Sequence, residues 1–240
     1  MRHEDRSLDA ATALRVRDAL GDLAPTYARI EQVEVRTATI ALGGGLAPGM
    51  AEVSYGWHLK SPDGAWTIAL LPDHFSLETT RYPTWAEYRE TLAKLVRAIA
   101  TEASPSLEQR VGLRYVDQVQ MDNIDAPADW AQWIEPYVLG PILHSELGAA
   151  VLATRQQVDL ELDGGSRCVL RHGTARQELG GPAEPPTYVL DFDVYRQSAT
   201  RFDADEVLAA ADHFHTHADA LFQHVVTDSL LRYLAEDDNG

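Results

Sequence analysis

Apolar and polar positions along the chain switch between a helical and an alternating period, and the switches mark the elements. Residues 9–20, DAATALRVRDAL, keep helical spacing and stop near Gly21, ahead of Pro25, which predicts a short first helix. Alternation takes over in QVEVRTATIAL (32–42) and breaks at GGGLAPGM (43–50), read as a flexible loop. AEVSYGWHLKSPDGAWTIALL (51–71) predicts a hairpin turning at Ser61-Pro62-Asp63-Gly64, and HFSLETT (74–80) adds a short strand. Leu92, Leu95, Val96 and Ile99 restore the helical period and predict a helix over 85–102. Thr84 stands at its N-cap, with Glu87 at the third position of a capping box, and Pro83 biases Tyr82 towards extended backbone. EQRVGLRYVDQVQM (108–121) reads as the next strand.

The plan then recurs. Residues 149–175 predict a hairpin turning at Asp163-Gly164-Gly165, PTYVLDFDVYRQ (186–197) a strand, and Asp203 the start of one long helix to about Leu234. FSLETTRYPTWAEYRETL and LDFDVYRQSATRFDADEVL share an order of strand, tyrosine-bearing turn and helix, with weak residue identity, so the repeat lies in element order. The expected fold is α+β, with helices against antiparallel sheet in a single domain over 1–240. Its pseudo-repeat halves fall at about 28–121 and 148–235, joined by a helical linker at about 127–139. In that linker Trp130, Trp133, Ile134, Tyr137 and Val138 form one stripe, read as core packing, and Pro136 kinks or restarts the helix. The apolar face of the final helix runs from Val207 to Val225 and is widened by Phe222, Val226 and Tyr233. Such a face is buried against a sheet or shared with a second copy, and a homodimer is expected.

Composition narrows the function classes. The chain has 240 residues and is 45% apolar, enough for a sizeable core. A formal net charge of −17 repels nucleic acid and anionic membrane alike, while leaving room for a cationic ligand or a basic partner. The single cysteine, Cys168, excludes an internal disulfide and suits a reducing compartment. MRHEDRSLDA lacks the apolar core of a signal peptide, and no apolar run nears the ~20 residues that span a bilayer. A soluble, cytoplasmic protein is expected.

Four separated motifs carry a resemblance: FSLETTRYPTWAEY, RVGLRYVDQVQM, YVLDFDVYRQ and the terminal ADALFQHVVTDSLLRYL. In that order, over roughly residues 25–235, the chain resembles the bacterial TIGR04255 family, whose members are of about this length. The resemblance implies fold and length. It brings no catalytic residues with it.

Three features are candidates for chemistry. Glu78, Arg114, Asp117, Asp191 and Asp193 sit on the motif strands, and alternation places Asp191, Asp193 and Tyr195 on one face. If these strands share a sheet, Arg114 can hold a carboxylate in bidentate fashion, with Glu78, Asp191 and Asp193 as candidate partners, and the set can anchor a ligand or supply acid and base. The plainer reading is a solvated sheet face laced with cross-strand ion pairs. The second feature is DHFHTHADALFQH (212–224), in which His213, His217 and His224 share a helical stripe and His215 lies away from it. The i,i+4 pair His213/His217 can chelate a metal given ligands from elsewhere, although ordinary surface or interface histidines are the plainer reading. Third, GGGLAPG (43–49) matches no phosphate-cradling pattern, and Cys168 within SRCVL reads as a packed small hydrophobe.

With no catalytic signature, the leading reading is a non-catalytic binding protein. It would recognise a small ligand or a protein partner through the sheet face or the long final helix, without a cofactor. The alternatives are an enzyme with a carboxylate–arginine pocket between the two halves, and a metalloprotein using His213 and His217.

Overall fold

The computed structural model describes residues 9–37, 52–174 and 186–237, so the glycine-rich loop 43–49 lies outside the described residues. The fold is α+β, as expected, with two four-stranded antiparallel sheets. The chain divides into two compact units, one reaching to Glu108 and including Thr200–Leu208, the other comprising Gln109–Ala199 and the residues from Ala209 onward.

In the first unit, α1 (Ala10–Ala19) begins where the Asp9 carboxylate accepts the Thr12 N–H at 2.8 Å. A tight 3-10 stretch, Gly21–Tyr27, leads into β1 (Arg29–Thr37), β2 (Glu52–Lys60), β3 (Trp66–Leu70) and β4 (Phe75–Thr79), paired in sequence order. The β2–β3 turn falls at the predicted Ser61–Gly64. Gly64 takes φ +72°, a left-handed value that glycine adopts without a Cβ penalty, while Ser61 Oγ donates to Asp63 at 2.6 Å.

Helix α2 spans Trp85–Glu102, as the periodicity predicts. The Glu87 N–H donates to Thr84 Oγ1 at 3.3 Å, so Thr84 is the N-cap and its half of the box is formed. Residues 80–87 carry the chain from the end of β4 into the capped first turn of α2. Tyr88 sits stacked against both Trp66 and Trp85, 5.9 Å between ring centroids in each case, and its hydroxyl donates to the Leu77 carbonyl of β4. Leu59, Ile68, Leu70 and Leu77 of the sheet bury with Leu95, Ala98 and Ile99 of α2 and Ala13 and Val16 of α1 as one core.

The second sheet contains β5 (Leu107–Gln120), β6 (Gln156–Glu161), β7 (Arg167–Thr174) and β8 (Thr187–Arg201), in the order β5-β8-β7-β6. Strand β5, grouped with the first half by sequence order, hydrogen-bonds instead beside β8. The reason is legible in the side chains: arginines on β5 meet aspartates on β8, and opposite charges across strands favour that pairing. The linker is a 3-10 turn (Pro127–Gln132), a one-turn helix α3 (Pro136–Leu139) that Pro136 starts, and further 3-10 turns. Trp130, Trp133, Ile134 and Val138 are buried as expected, but Tyr137 is 70% exposed, its hydroxyl donating to the His224 carbonyl.

The single terminal helix expected from the sequence is two: α4 (Ala204–Val225) and α5 (Asp228–Asp237). Asp203 starts the first by accepting the Asp205 and Glu206 N–H groups. The break occurs because the linker competes for the backbone. Glu135 N–H donates to the Val225 carbonyl, Thr227 N–H to the Trp133 carbonyl, and Thr227 Oγ1 to the Gln132 carbonyl at 2.6 Å. The apolar face itself is largely buried, through Phe214, Ala218, Val225, Val226 and Leu230. Among the described residues no helix is long and apolar enough to cross a membrane.

Candidate functional site

Alternation on the second sheet gives it two unlike faces. On β8, Leu190, Phe192 and Val194 point inward, and the Phe192 ring meets Phe222 of α4 edge to face. Asp191, Asp193 and Tyr195 therefore project from the other side, together with their β7 neighbours Arg171, Val169 and Arg167. Strand β5 adds Arg110 and Arg114 to this outer face, since both contact its aspartates.

Asp191 is the centre of the arrangement. Arg114 Nε and Nη2 donate to its two oxygens at 2.7 and 2.8 Å, a bidentate fork, and Arg171 Nη1 stands 3.6 Å away on the opposite flank. The carboxylate is 8% exposed, whereas the Arg114 side chain is 59% exposed. Beside it, Arg110 Nη2 donates to Asp193 at 2.7 Å while its guanidinium carbon lies 4.5 Å above the centre of the Tyr195 ring, a cation–π contact. Gly112 makes this possible. A Cβ there would come within 2.9 Å of Arg110 Nη1. Arg110, Arg114, Arg167 and Arg171 thus share one face with Asp191 and Asp193, and the β6 neighbours Asp159 and Glu161 add two carboxylates at its edge, so opposite charges balance locally on a chain of net −17.

The structure brings together Arg114, Asp191, Asp193 and Tyr195 from the expected set, and separates two others. Glu78 lies on β4 of the first sheet, exposed, accepting from Ser76 Oγ at 2.8 Å. Asp117 is an odd-numbered neighbour of Tyr115 on β5, so alternation turns it to the opposite face from Arg114. That face meets α4, where Tyr115 Oη and His215 Nδ1 are 3.0 Å apart. Burial there pushes the Asp117 carboxyl up to about 6. The same face holds buried His172, its Nδ1 2.9 Å from Tyr188 Oη and its basicity lowered by burial. Cys168 is fully buried, with its thiol pushed up to about 11, chiefly by burial, as suits a packed hydrophobe.

The histidine stripe is partly realised. His213 and His217 meet edge to face on α4 with their Nε2 atoms 3.0 Å apart, and Asp163 from the β6–β7 turn brings Oδ1 to 2.7 Å from His217 Nε2 and 3.5 Å from His213 Nε2. His215 points elsewhere, to Tyr115, and His224 is not part of the cluster. Sequence reading missed Asp163, Arg110 and Arg171. Arg110 had a signal in Arg-x-Gly-x-Arg on one strand face, whereas Arg171 and Asp163 depend on hairpin register and turn position.

Comparison of the chain with protein-family models, with curated proteins and with solved structures finds no match.

Proposed function

We propose that the protein is a non-catalytic binding protein that recognises a carboxylate-bearing protein segment through the outer face of its second sheet. The Arg114–Asp191 fork carries this reading. Asp191 is almost wholly buried beneath an arginine whose side chain stays more than half exposed. A solvated sheet face has no need of a fixed arginine. A recognition face does, because a guanidinium already held in place loses less conformational freedom when a partner arrives.

Two further features support it. Arginine and tyrosine dominate the energetic centres of protein interfaces, and Arg110 stacked on Tyr195 supplies both within one contact. Arg114 and Arg171, both substantially exposed around the nearly buried Asp191, present guanidinium donors to a negative partner group, against a background field that rejects indiscriminate acidic binding. Low, salt-sensitive affinity for isolated carboxylates is the expected consequence.

The test is fluorescence anisotropy with a labelled, end-blocked tetraglutamate peptide, against tetralysine as control. Saturable binding to tetraglutamate alone, lost in an Arg110→Ala/Arg171→Ala double variant that keeps its circular dichroism spectrum, supports the reading. Equal binding by that variant, or none by the parent at millimolar protein, overturns it.

The cytoplasmic location and the place in the bacterial family resembled by the four motifs are part of the same proposal. So is a homodimer. Tyr233 and Leu234 of α5 remain exposed beyond the buried apolar face, and they are what a second copy would cover. Light scattering that gives the mass of one chain across micromolar concentrations removes it.

A further inference from the structure

We infer that Asp163, His213 and His217 form a binding site for a divalent transition-metal ion of the zinc class, with three protein ligands and the remaining position open to solvent. The inference is independent of the sheet-face proposal and rests on the convergence of three ligand atoms.

His213 and His217 are one helical turn apart on α4, so their rings meet, edge to face, with centroids 4.3 Å and planes 76° apart. Asp163 comes from a different element, the β6–β7 turn. The three atoms Asp163 Oδ1, His213 Nε2 and His217 Nε2 stand 3.0, 2.7 and 3.5 Å from one another. Zinc bonds to imidazole and carboxylate are about 2.0–2.1 Å, which sets the edges of a tetrahedral site at about 3.3 Å. The observed triangle is close to one face of such a tetrahedron. A point roughly 2 Å from all three atoms lies just off their plane, so an ion fits with little movement.

Protons alone satisfy this triangle poorly. Either two N–H groups face each other across 3.0 Å, or a single N–H is shared between the other ring nitrogen and the carboxylate oxygen. A single cation meets all three lone pairs at once.

The turn is shaped to allow the approach. Gly164 takes φ +62°, and a Cβ at that position would come within 3.2 Å of His213 Nε2. A side chain there would press on the ligand atom itself. Asp163 is largely exposed and His213 half exposed, so the fourth position faces water. Three protein ligands leave a fourth position for water or a small ligand, in contrast to the closed four-ligand shells of structural zinc. The donor set, two imidazoles and one carboxylate, also suits cobalt(II), nickel(II) and iron(II), which makes cobalt a usable spectroscopic stand-in.

The experiment is titration of the full metal-stripped chain with zinc by calorimetry and with cobalt by visible absorption. We expect one equivalent of each to bind, with cobalt developing the ligand-field bands of a low-coordinate N/O site. His217→Ala and Asp163→Asn should each weaken zinc binding by at least the roughly 10–100-fold that loss of a supporting group costs at metal sites. His144→Ala, at a histidine outside the cluster, should leave affinity unchanged. Circular dichroism and thermal melts of each metal-free variant establish that its fold is intact. Absence of saturable one-to-one binding in the parent chain overturns the proposal. So does unchanged affinity in a folded His213→Ala/His217→Ala double variant, which would place the ion elsewhere.

Discussion

Arg114 grips Asp191 through both Nε and Nη2, at 2.7 and 2.8 Å, across 77 residues of sequence. The pair joins β5 to β8 and fixes a guanidinium at the surface while removing the carboxylate from it. Its two ends have different environments, so its loss should fall between the two usual limits for ion pairs. Replacing Arg114 with alanine strips a nearly buried carboxylate of its principal partner, while Arg171 still stands 3.6 Å away. We expect Arg114→Ala to cost about 1–3 kcal/mol, the range for depriving a buried hydrogen-bonding group of its partner. Denaturant melts of Arg114→Ala, Asp191→Ala and the double variant give the coupling energy. A loss below about 0.5 kcal/mol would make the fork an ordinary surface pair.

Asp117 should make stability depend on pH in a direction opposite to most carboxylates. Its folded carboxyl is pushed up to about 6, from an ordinary 3.8, by burial. Between about pH 4 and pH 6 the folded chain therefore holds a proton that the unfolded chain has lost. The cost of burying the charge is absent below pH 4, grows through this window and is complete above it. Asp117→Asn should stabilise the protein by roughly 1–3 kcal/mol at pH 7.5 and by almost nothing at pH 4. Melting both proteins at the two pH values checks this. Equal gains at both would show that the carboxylate is well solvated.

Thr84 caps α2, and its hydroxyl meets the Glu87 N–H. Removing it should cost about 0.5–2 kcal/mol, with Thr84→Ser retaining most of the stability. Urea melts of the two variants decide the matter. An equal loss in both would point to the Thr84 methyl and not to the cap.

Cys168 is buried on β7, with its thiol pushed up to about 11. Thiolate is the reactive form, so native protein at pH 7.5 should react with a disulfide reagent far more slowly than protein in denaturant. Comparable rates in the two states would require the strand to open readily.

How much of this was legible in sequence differs by element, for physical reasons. Helix α2, the Ser61–Gly64 turn and the Asp163–Gly165 turn were legible because caps, left-handed glycines and local periods are short-range properties. The bidentate grip of Arg114 was also within reach, because an arginine among apolar strand positions calls for a specific acceptor. What escaped was long-range competition. Nothing in LFQHVVTDSLL announces that the Val225 and Thr227 backbone groups will pair with the linker around Trp133, yet that pairing splits the final helix. Asp117 was grouped with Arg114 although their odd spacing on one strand already placed them on opposite faces. Asp163 joins two histidines fifty residues or more away only because the turn closes against α4, which no local pattern encodes.

Binding of carboxylates at the outer face of the second sheet is tested most directly by side-chain NMR. Each arginine Nε–Hε group gives its own resonance, and these can be followed while tetraglutamate peptide is added. Recognition at this face predicts saturable shifts in Arg110, Arg114 and Arg171, with Arg81 and Arg97 of the other unit unmoved. Shifts spread evenly over the arginines, or none at millimolar peptide, would contradict it.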